Sequence, residues 1–212
     1  MKLIRLLVAG LSIGAAFIGS TPALAEDIAP DMLVKNVTNE VLEIVRKDKD
    51  IQGGNVKKAV DLVEAKVLPN FDFTRMTQLA VARDWRQANP TQQKALTDEF
   101  RTLLVRTYSK ALTEYKNQTI IFKPMTMKPG DTTVSVRTLI KQASGAQPID
   151  MNYELEKRDT AWKVVDIQVG GVSLITNYRD SFATEIRNSG VDGLIKLLQT
   201  KNKTGETSSA KK

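Results

Sequence analysis

The sequence predicts an α+β fold in which helices precede an antiparallel sheet and return after it. Three observations carry this. Apolar residues recur at helical spacing from Leu33 to Tyr115. From Thr119 to Val169 the period falls to two, with polar turns between the runs, and from Leu174 to Leu198 the helical period resumes. Successive strands joined by short turns pair as an antiparallel meander, and helices gathered on either side of it in sequence make an α+β class rather than a series of βαβ units. The 212 residues suffice for one or two compact domains, and no internal repeat divides them.

Leu33, Val34, Val37, Val41, Ile44 and Val45 form the stripe of a first helix. Asp48 to Gly54 reads as a turn, and Asn55 can cap a second helix carrying Val56, Val60, Val63 and Val67, which Pro69 ends. Asp72 is placed to cap a short helix through Met76 and Leu79. Asn89-Pro90-Thr91-Gln92 then combines an N-cap, a first-position proline and a third-position glutamine, a strong start signal for the longest helix, Leu96 to Tyr115. Ile120–Met127 reads as a strand broken at Pro124, with strands two and three at Thr132–Lys141 and Ile149–Leu155. In the fourth, Trp162 to Val169, strict alternation puts Val165, Ile167 and Val169 on one face and Trp162 and Val164 on the other. That pattern predicts cover on both sides. Gly170-Gly171 interrupts the strand as a bulge or close backbone approach would. Leu174, Ile175, Tyr178, Phe182 and Ile186 then return to helical spacing, and a last helix follows Gly190.

Residues 1–25 stand apart. Lys2 and Arg5 precede an apolar run from Leu6 to Ile18, and Thr21-Pro-Ala-Leu-Ala25 ends in small residues. This is the layout of a secretory signal peptide cleaved after Ala25, so the mature chain is expected in the periplasm. The expected organisation is a signal peptide at 1–25, a helical part at 26–118, the sheet with C-terminal helices at 119–200, and a disordered basic tail at 201–212. The net charge of +7 is concentrated at the ends: the signal peptide holds two positive charges and the tail a net three, which leaves +2 for residues 26–200. A body so nearly balanced is not a nucleic-acid surface.

The chain has no histidine and no cysteine, which excludes Ser-His-Asp and Cys-His catalysis and thiolate zinc sites. No P-loop and no glycine-rich dinucleotide fingerprint is present. No cofactor and no metal site is expected. Carboxylates remain. Asp166, with Tyr153 across from it, could form a buried acid–base pair acting on a ketone; the plainer alternatives are an ion pair with Arg137 or a solvated side chain. The abundance of large apolar residues on helices and strands alike fits an ordinary core equally well from pattern alone.

Three blocks carry a resemblance to a known family: Leu68-Pro-x-Phe71-Asp72-Phe73-x-x-Met76 leading to Trp85, Glu99-Phe100-Arg101-x-Leu103-Leu104 leading to Tyr108 and Leu112, and Trp162-Lys-Val-Val-Asp166 followed by Gly171-Val-Ser-Leu174 and Tyr178-Arg179-x-x-Phe182. With these the chain resembles the MlaC family of periplasmic phospholipid carriers, also called the toluene- or organic-solvent-tolerance family. The resemblance implies a non-enzymatic carrier with a twisted antiparallel sheet, similar to nuclear-transport-factor-like domains, packed with helices around a deep apolar pocket. It implies phospholipid as cargo. It also implies two membrane partners, an inner-membrane ABC transporter complex with an MCE-domain subunit and an outer-membrane lipoprotein complex, serving outer-membrane lipid asymmetry.

On that basis the helical wall is expected at Phe73, Met76 and Leu79 and at Phe100, Leu103, Leu104 and Tyr108. The strand wall is expected at Val134 and Val136, at Met151, Tyr153 and Leu155, and at Val165, Ile167 and Val169, although the opposite strand face could equally line it. Val172, Leu174 and Ile175 would form an apolar rim, with Asn177 and Arg179 near the head group. Gly170-Gly171 would then be either a hinge for the helix that follows or a fixed bulge. An enzyme using Asp166 and a purely structural adaptor with a filled core are the other readings.

Overall fold

The computed structural model describes residues 28–142 and 145–204. The predicted signal peptide and residues 205–212 of the predicted tail lie outside them. Helix α1 (Pro30–Lys47) begins with proline in its first turn and buries Val34, Val41 and Val45. Its polypeptide turns at Asp48, whose carboxylate accepts from the backbone N–H groups of Asp50 and Ile51 and so starts a single helical turn, α2 (Lys49–Gln52). The stretch read as a simple turn therefore holds one helical turn, and Ile51 anchors it in the core. Asn55 caps α3 (Val56–Leu62) by accepting from Lys58 N at 3.1 Å. Beyond Leu62 the helix loosens into a π turn over Val63–Val67 and then tightens to 3-10 geometry at Leu68–Asn70, where Pro69 stops it.

Phe71 pairs with Val164 in an isolated parallel bridge, and Asp72 N donates to Val164 O at 3.0 Å, which stitches this corner to the sheet. Asp72 then caps α4 (Phe73–Val81) through Arg75 N at 2.8 Å. A 3-10 segment (Ala82–Gln87) leads to α5 (Pro90–Thr113), which opens with a complete capping box between Asn89 and Gln92.

Strands β1 (Thr119–Phe122), β2 (Thr133–Lys141), β3 (Ile149–Arg158), β4 (Ala161–Val169) and β5 (Val172–Ser173) form one antiparallel sheet in that order. β1 stops well before Met127 because Pro124 lacks the N–H that would continue the ladder; Lys123 N makes the last bond, to Arg137 O. α6 (Thr176–Thr204) is the last element among the described residues. It is two helices joined at Gly190, whose φ of 71° breaks the helical run. The helix extends past residue 200: Asn202 is buried and its Nδ2 donates to Glu99 O and Oε2. Residues 201–204, read from the sequence as the start of a disordered tail, are therefore helical.

Three apolar clusters hold these elements together. One joins α4, α5 and α6, where Phe100 meets Tyr178 and Phe182 edge-on at 5.1 and 5.2 Å between ring centroids. The second packs Val34 of α1 on Val134, Val136, Leu155, Trp162 and Val164 of the sheet. The third joins α1, α2 and α3 around Val45, Ile51 and Ala59, with Leu112 and Tyr115 at its edge. Among the described residues no helix is long and apolar enough to cross a membrane.

Candidate binding cavity

The three clusters do not merge. Between them lies a cavity of about 640 Å³, within the range of about 300–1,000 Å³ usual for ligand sites. Its floor is one face of the sheet: Ile120 of β1, Ile140 of β2, Ile149, Met151 and Tyr153 of β3, and Val164, Ile167 and Val169 of β4. Register explains the grouping, since Ile120 faces Ile140, Ile140 faces Ile149, Met151 faces Val169 and Tyr153 faces Ile167 across the strands. The roof comes from α1, the π turn at Val63 and Val67, Phe71, and α4 and α5 through Phe73, Met76, Leu104, Tyr108 and Leu112.

A bulge in β4 corrects the expected alternation. Leu155 pairs with Val164 but Glu154 pairs with Asp166, so Val165 has no partner. The extra residue reverses the phase of the strand. Trp162 and Val164 before it and Ile167 and Val169 after it therefore share the inner face, while Asp166 and Gln168 turn outward with Asn152 and Glu154. That outer face is polar, and α4 and the start of α6 reach it through Arg75 on Glu156 and through the backbone of Ile175 on Asp166.

One end of the cavity is closed. There β1 ends and β2 starts, and Val134, Val136 and Leu155 pack against Val34 and Trp162. A partly buried ion network lies over the same end: Arg75 Nε to Glu156 at 3.1 Å, Arg158 Nη2 to Glu156 at 2.6 Å, and Arg158 Nε to Asp72 at 3.0 Å. It ties the start of α4 to β3. At the opposite end β1 and β3 begin and β2 and β4 finish, and there the lining turns polar at Glu114, Tyr115, Gln118 and Gln142. This end is the mouth, with Tyr108 on its helical side, 38% exposed.

Of the residues the sequence pointed to, Phe73, Met76, Leu104, Tyr108, Met151, Tyr153, Ile167, Val169 and Leu174 line the cavity. The others do not. Phe100, Leu103 and Ile175 are closed core between α4, α5 and α6, with Leu79 packed on that core. Val134, Val136 and Leu155 are on the inner face but at the filled end, Val165 is the bulge residue, and Val172 is 54% exposed at the tip of the β4–β5 hairpin. Asn177 is exposed, and Arg179 donates to Leu79 O at 3.1 and 3.3 Å, capping the end of α4 away from the cavity. Gly170 and Gly171 are the two central residues of a tight hairpin turn, with φ of 58° and 81°, the type I′ geometry that glycine favours. They form neither a bulge nor a visible hinge.

Asp166 is also placed away from the cavity. Its Oδ2 accepts from Ser173 Oγ at 2.6 Å and its Oδ1 from Ile175 N at 3.3 Å, fastening β5 and the start of α6 to β4. Tyr153 faces the opposite side, so the acid–base pair does not form, and Arg137 is not the partner of Asp166 either. Tyr153 instead donates to Met151 Sδ at 3.0 Å. Burial against apolar walls pushes its phenol up to about 12, with a hydrogen bond to Thr38 opposing the shift.

The lining that sequence reasoning missed is chiefly α1 (Leu33, Val34, Val37, Thr38, Val41, Leu42) and the π turn, together with Phe71, Leu112 and the sheet residues Ile120, Ile140, Ile149 and Val164. One signal was available. Neighbouring pairs at 33/34, 37/38 and 41/42 make an arc wider than a single packing contact needs, and α1 uses it to touch both the sheet cluster and the cavity.

The MlaC protein family model matches residues 35–200. Over 164 residues the chain is 27% identical to toluene tolerance protein ttg2D of Pseudomonas putida, covering 77% of this chain and 75% of that protein. Over 192 residues it is 24% identical to the intermembrane phospholipid transport system binding protein MlaC of Haemophilus influenzae, covering 87% and 86%. Among solved structures, the phospholipid-binding protein from Ralstonia solanacearum in complex with a phospholipid superposes with a TM-score of 0.76 at 39% identity, over 82% of this chain and 97% of that one.

Proposed function

The chain belongs to the MlaC family, and from that premise we propose that it is a periplasmic phospholipid carrier whose cavity encloses acyl chains while the head group stays at the mouth. The observation that carries this reading is the cavity itself: a mostly apolar space, filled by side-chain packing at one end and lined by Glu114, Gln118 and Gln142 at the other. Exposing the tails of a diacyl lipid to water costs about 20 kcal/mol, at about 0.8 kcal/mol per methylene over about thirty methylenes. A soluble shuttle must therefore replace the bilayer almost completely, and walls of Leu, Val, Ile and Met do so at little net cost. Met76 and Met151 border the space and can adapt to chains of different length. The relatives named for phospholipid transport and phospholipid binding support the same cargo.

In this reading residues 1–25 direct export, and the carrier moves phospholipid between an outer-membrane lipoprotein complex and an inner-membrane ABC transporter complex with an MCE-domain subunit, maintaining outer-membrane lipid asymmetry. The chain carries no nucleotide motif, so the direction of transfer is set by the partner that hydrolyses ATP. It acts without catalysing a reaction. The role of each lining residue in holding lipid is part of the proposal. Its test is uptake from vesicles of labelled phosphatidylethanolamine, followed by size-exclusion separation. Label is expected to elute with the protein, and label that stays with the vesicles would refute the carrier reading.

A further inference from the structure

Arg46 is an exposed cation held by Tyr115 at the polar end of the cavity, and among the described residues no carboxylate pairs with it. It ends α1, where the Gln52 side chain donates to the carbonyls of Val45 and Arg46 and so holds the backbone at that point. Its Nε and Nη2 donate to the Tyr115 hydroxyl at 3.0 and 2.7 Å, and the hydroxyl in turn donates to Gln118 O at 3.0 Å. Among the described residues Tyr115 is the partner the guanidinium has, and the rest of its fork faces solvent. Both Tyr115 and Gln118 line the cavity. A charged side chain that is held by a tyrosine and left without a counter-ion can take a second, anionic partner at no cost in rotamer freedom.

The surroundings supply further donors. Gln118 and Gln142 each lie one position beyond the last paired residues of β1 and β2, Thr119 and Lys141, so they face one another across the mouth. The side-chain oxygen of Gln118 accepts from Lys116 N at 2.7 Å, which leaves its amide NH2 to donate. The one carboxylate in the rim, Glu114, lies 3.6 Å from Lys110 and is offset by it. Guanidinium, amide donors and a mouth above an apolar cavity together describe a receptor for a phosphate ester carried on hydrocarbon.

We infer that Arg46, oriented by Tyr115 and assisted by Gln118 and Gln142, forms a phosphate subsite that reads the head-group phosphodiester of a lipid whose tails fill the cavity. The inference rests on the carrier reading above. It adds that the mouth selects for phosphate, so that lipids of equal tail content are not equal cargo.

The experiment compares uptake of dioleoylphosphatidylglycerol and of dioleoylglycerol, which has the same tails and no phosphate, by the full chain and by Arg46→Gln. The native chain is expected to prefer the phospholipid. Arg46→Gln is expected to weaken phospholipid binding by about tenfold, the effect of one charge-assisted hydrogen bond, with no comparable loss for dioleoylglycerol. Tyr115→Phe, which releases the guanidinium, is expected to fall between the two. Because dioleoylglycerol uptake reports a folded cavity, a misfolded variant would be recognised by losing both lipids. Equal binding of the two lipids by both proteins would overturn the subsite while leaving the carrier intact. Uptake of neither lipid by the native chain would overturn the carrier and the subsite with it. Inorganic phosphate in large excess is expected to compete weakly; competition as strong as that of the phospholipid would assign the rim to a soluble anion and overturn the lipid reading of it.

Discussion

Ile167 and Leu155 lie on the same face of the sheet, yet a tryptophan at each position has opposite expected consequences. Ile167 borders open space, so Ile167→Trp fills part of the cavity and should reduce lipid uptake with little change in denaturant midpoint. Leu155 is fully buried among Val34, Val134 and Trp162, so Leu155→Trp overpacks and should destabilise by about 1–3 kcal/mol. Paired unfolding and uptake measurements distinguish the two, and equal destabilisation would mean that the cavity is closed in solution. Tyr153 gives a second residue-scale expectation. Its folded phenol titrates near 12 whereas an unfolded tyrosine titrates near 10, so between those values the native state holds a proton that the unfolded state has lost. Stability must fall as pH rises through that window, and Tyr153→Phe should flatten the fall in unfolding experiments run from pH 9 to 12. Ala82 adopts φ 55° with ψ −126°, a conformation costly to any side chain. Ala82→Gly should raise stability by about 1 kcal/mol, read from the thermal midpoint.

Single elements of this chain depart from regularity where they border the cavity or turn the chain. The β4 bulge at Val165 brings Val164 and Ile167 onto one face, and the π turn at Val63–Val67 presents both of its valines to the space. Neither was legible in the sequence. A bulge is a property of pairing between two strands, and with apolar residues at both 164 and 165 a single strand shows no phase break. A π turn differs from an α turn by one residue, which a valine stripe tolerates without trace. Caps were legible because each is a local bond between a side chain and a backbone three residues on, and Asn55, Asp72 and Asn89 all make it. The glycine pair could be located but its role could not, since positive φ serves hinge, bulge and turn alike. As a type I′ turn it should accept Gly170→Asn with stability and lipid exchange both unchanged. Slower exchange at unchanged stability would restore the hinge. In α6, an added Cβ at Gly193 would fall 2.2 Å from Ser189 Cβ. Helix propensity alone favours alanine there by about 1 kcal/mol, so a lowered thermal midpoint for Gly193→Ala would show that close packing at the Gly190 break decides.

At the scale of the whole molecule, the class of the fold and the order of its elements follow from periodicity, whereas the cavity follows from what the clusters leave unfilled. No pattern in one chain distinguishes Leu104, which borders space, from Leu103, which does not, because both are apolar and one residue apart on the same helix. The wall on α1 was missed although its arc of neighbouring pairs was there to be read, and the guanidinium of Arg179 is bonded to the end of α4 and is not among the cavity lining. What joins the scales is a single requirement: helices and one sheet face must bury enough surface in three separate clusters to stand around a space that is itself unfilled. Native mass spectrometry of the chain purified from cells without added lipid tests this most directly. The account predicts a protein mass increased by that of bound phospholipid, diminished in Ile167→Trp and retained in an exposed-site control such as Val172→Ala. A bare protein mass in every preparation, from a chain that also takes up no phospholipid from vesicles, would contradict it.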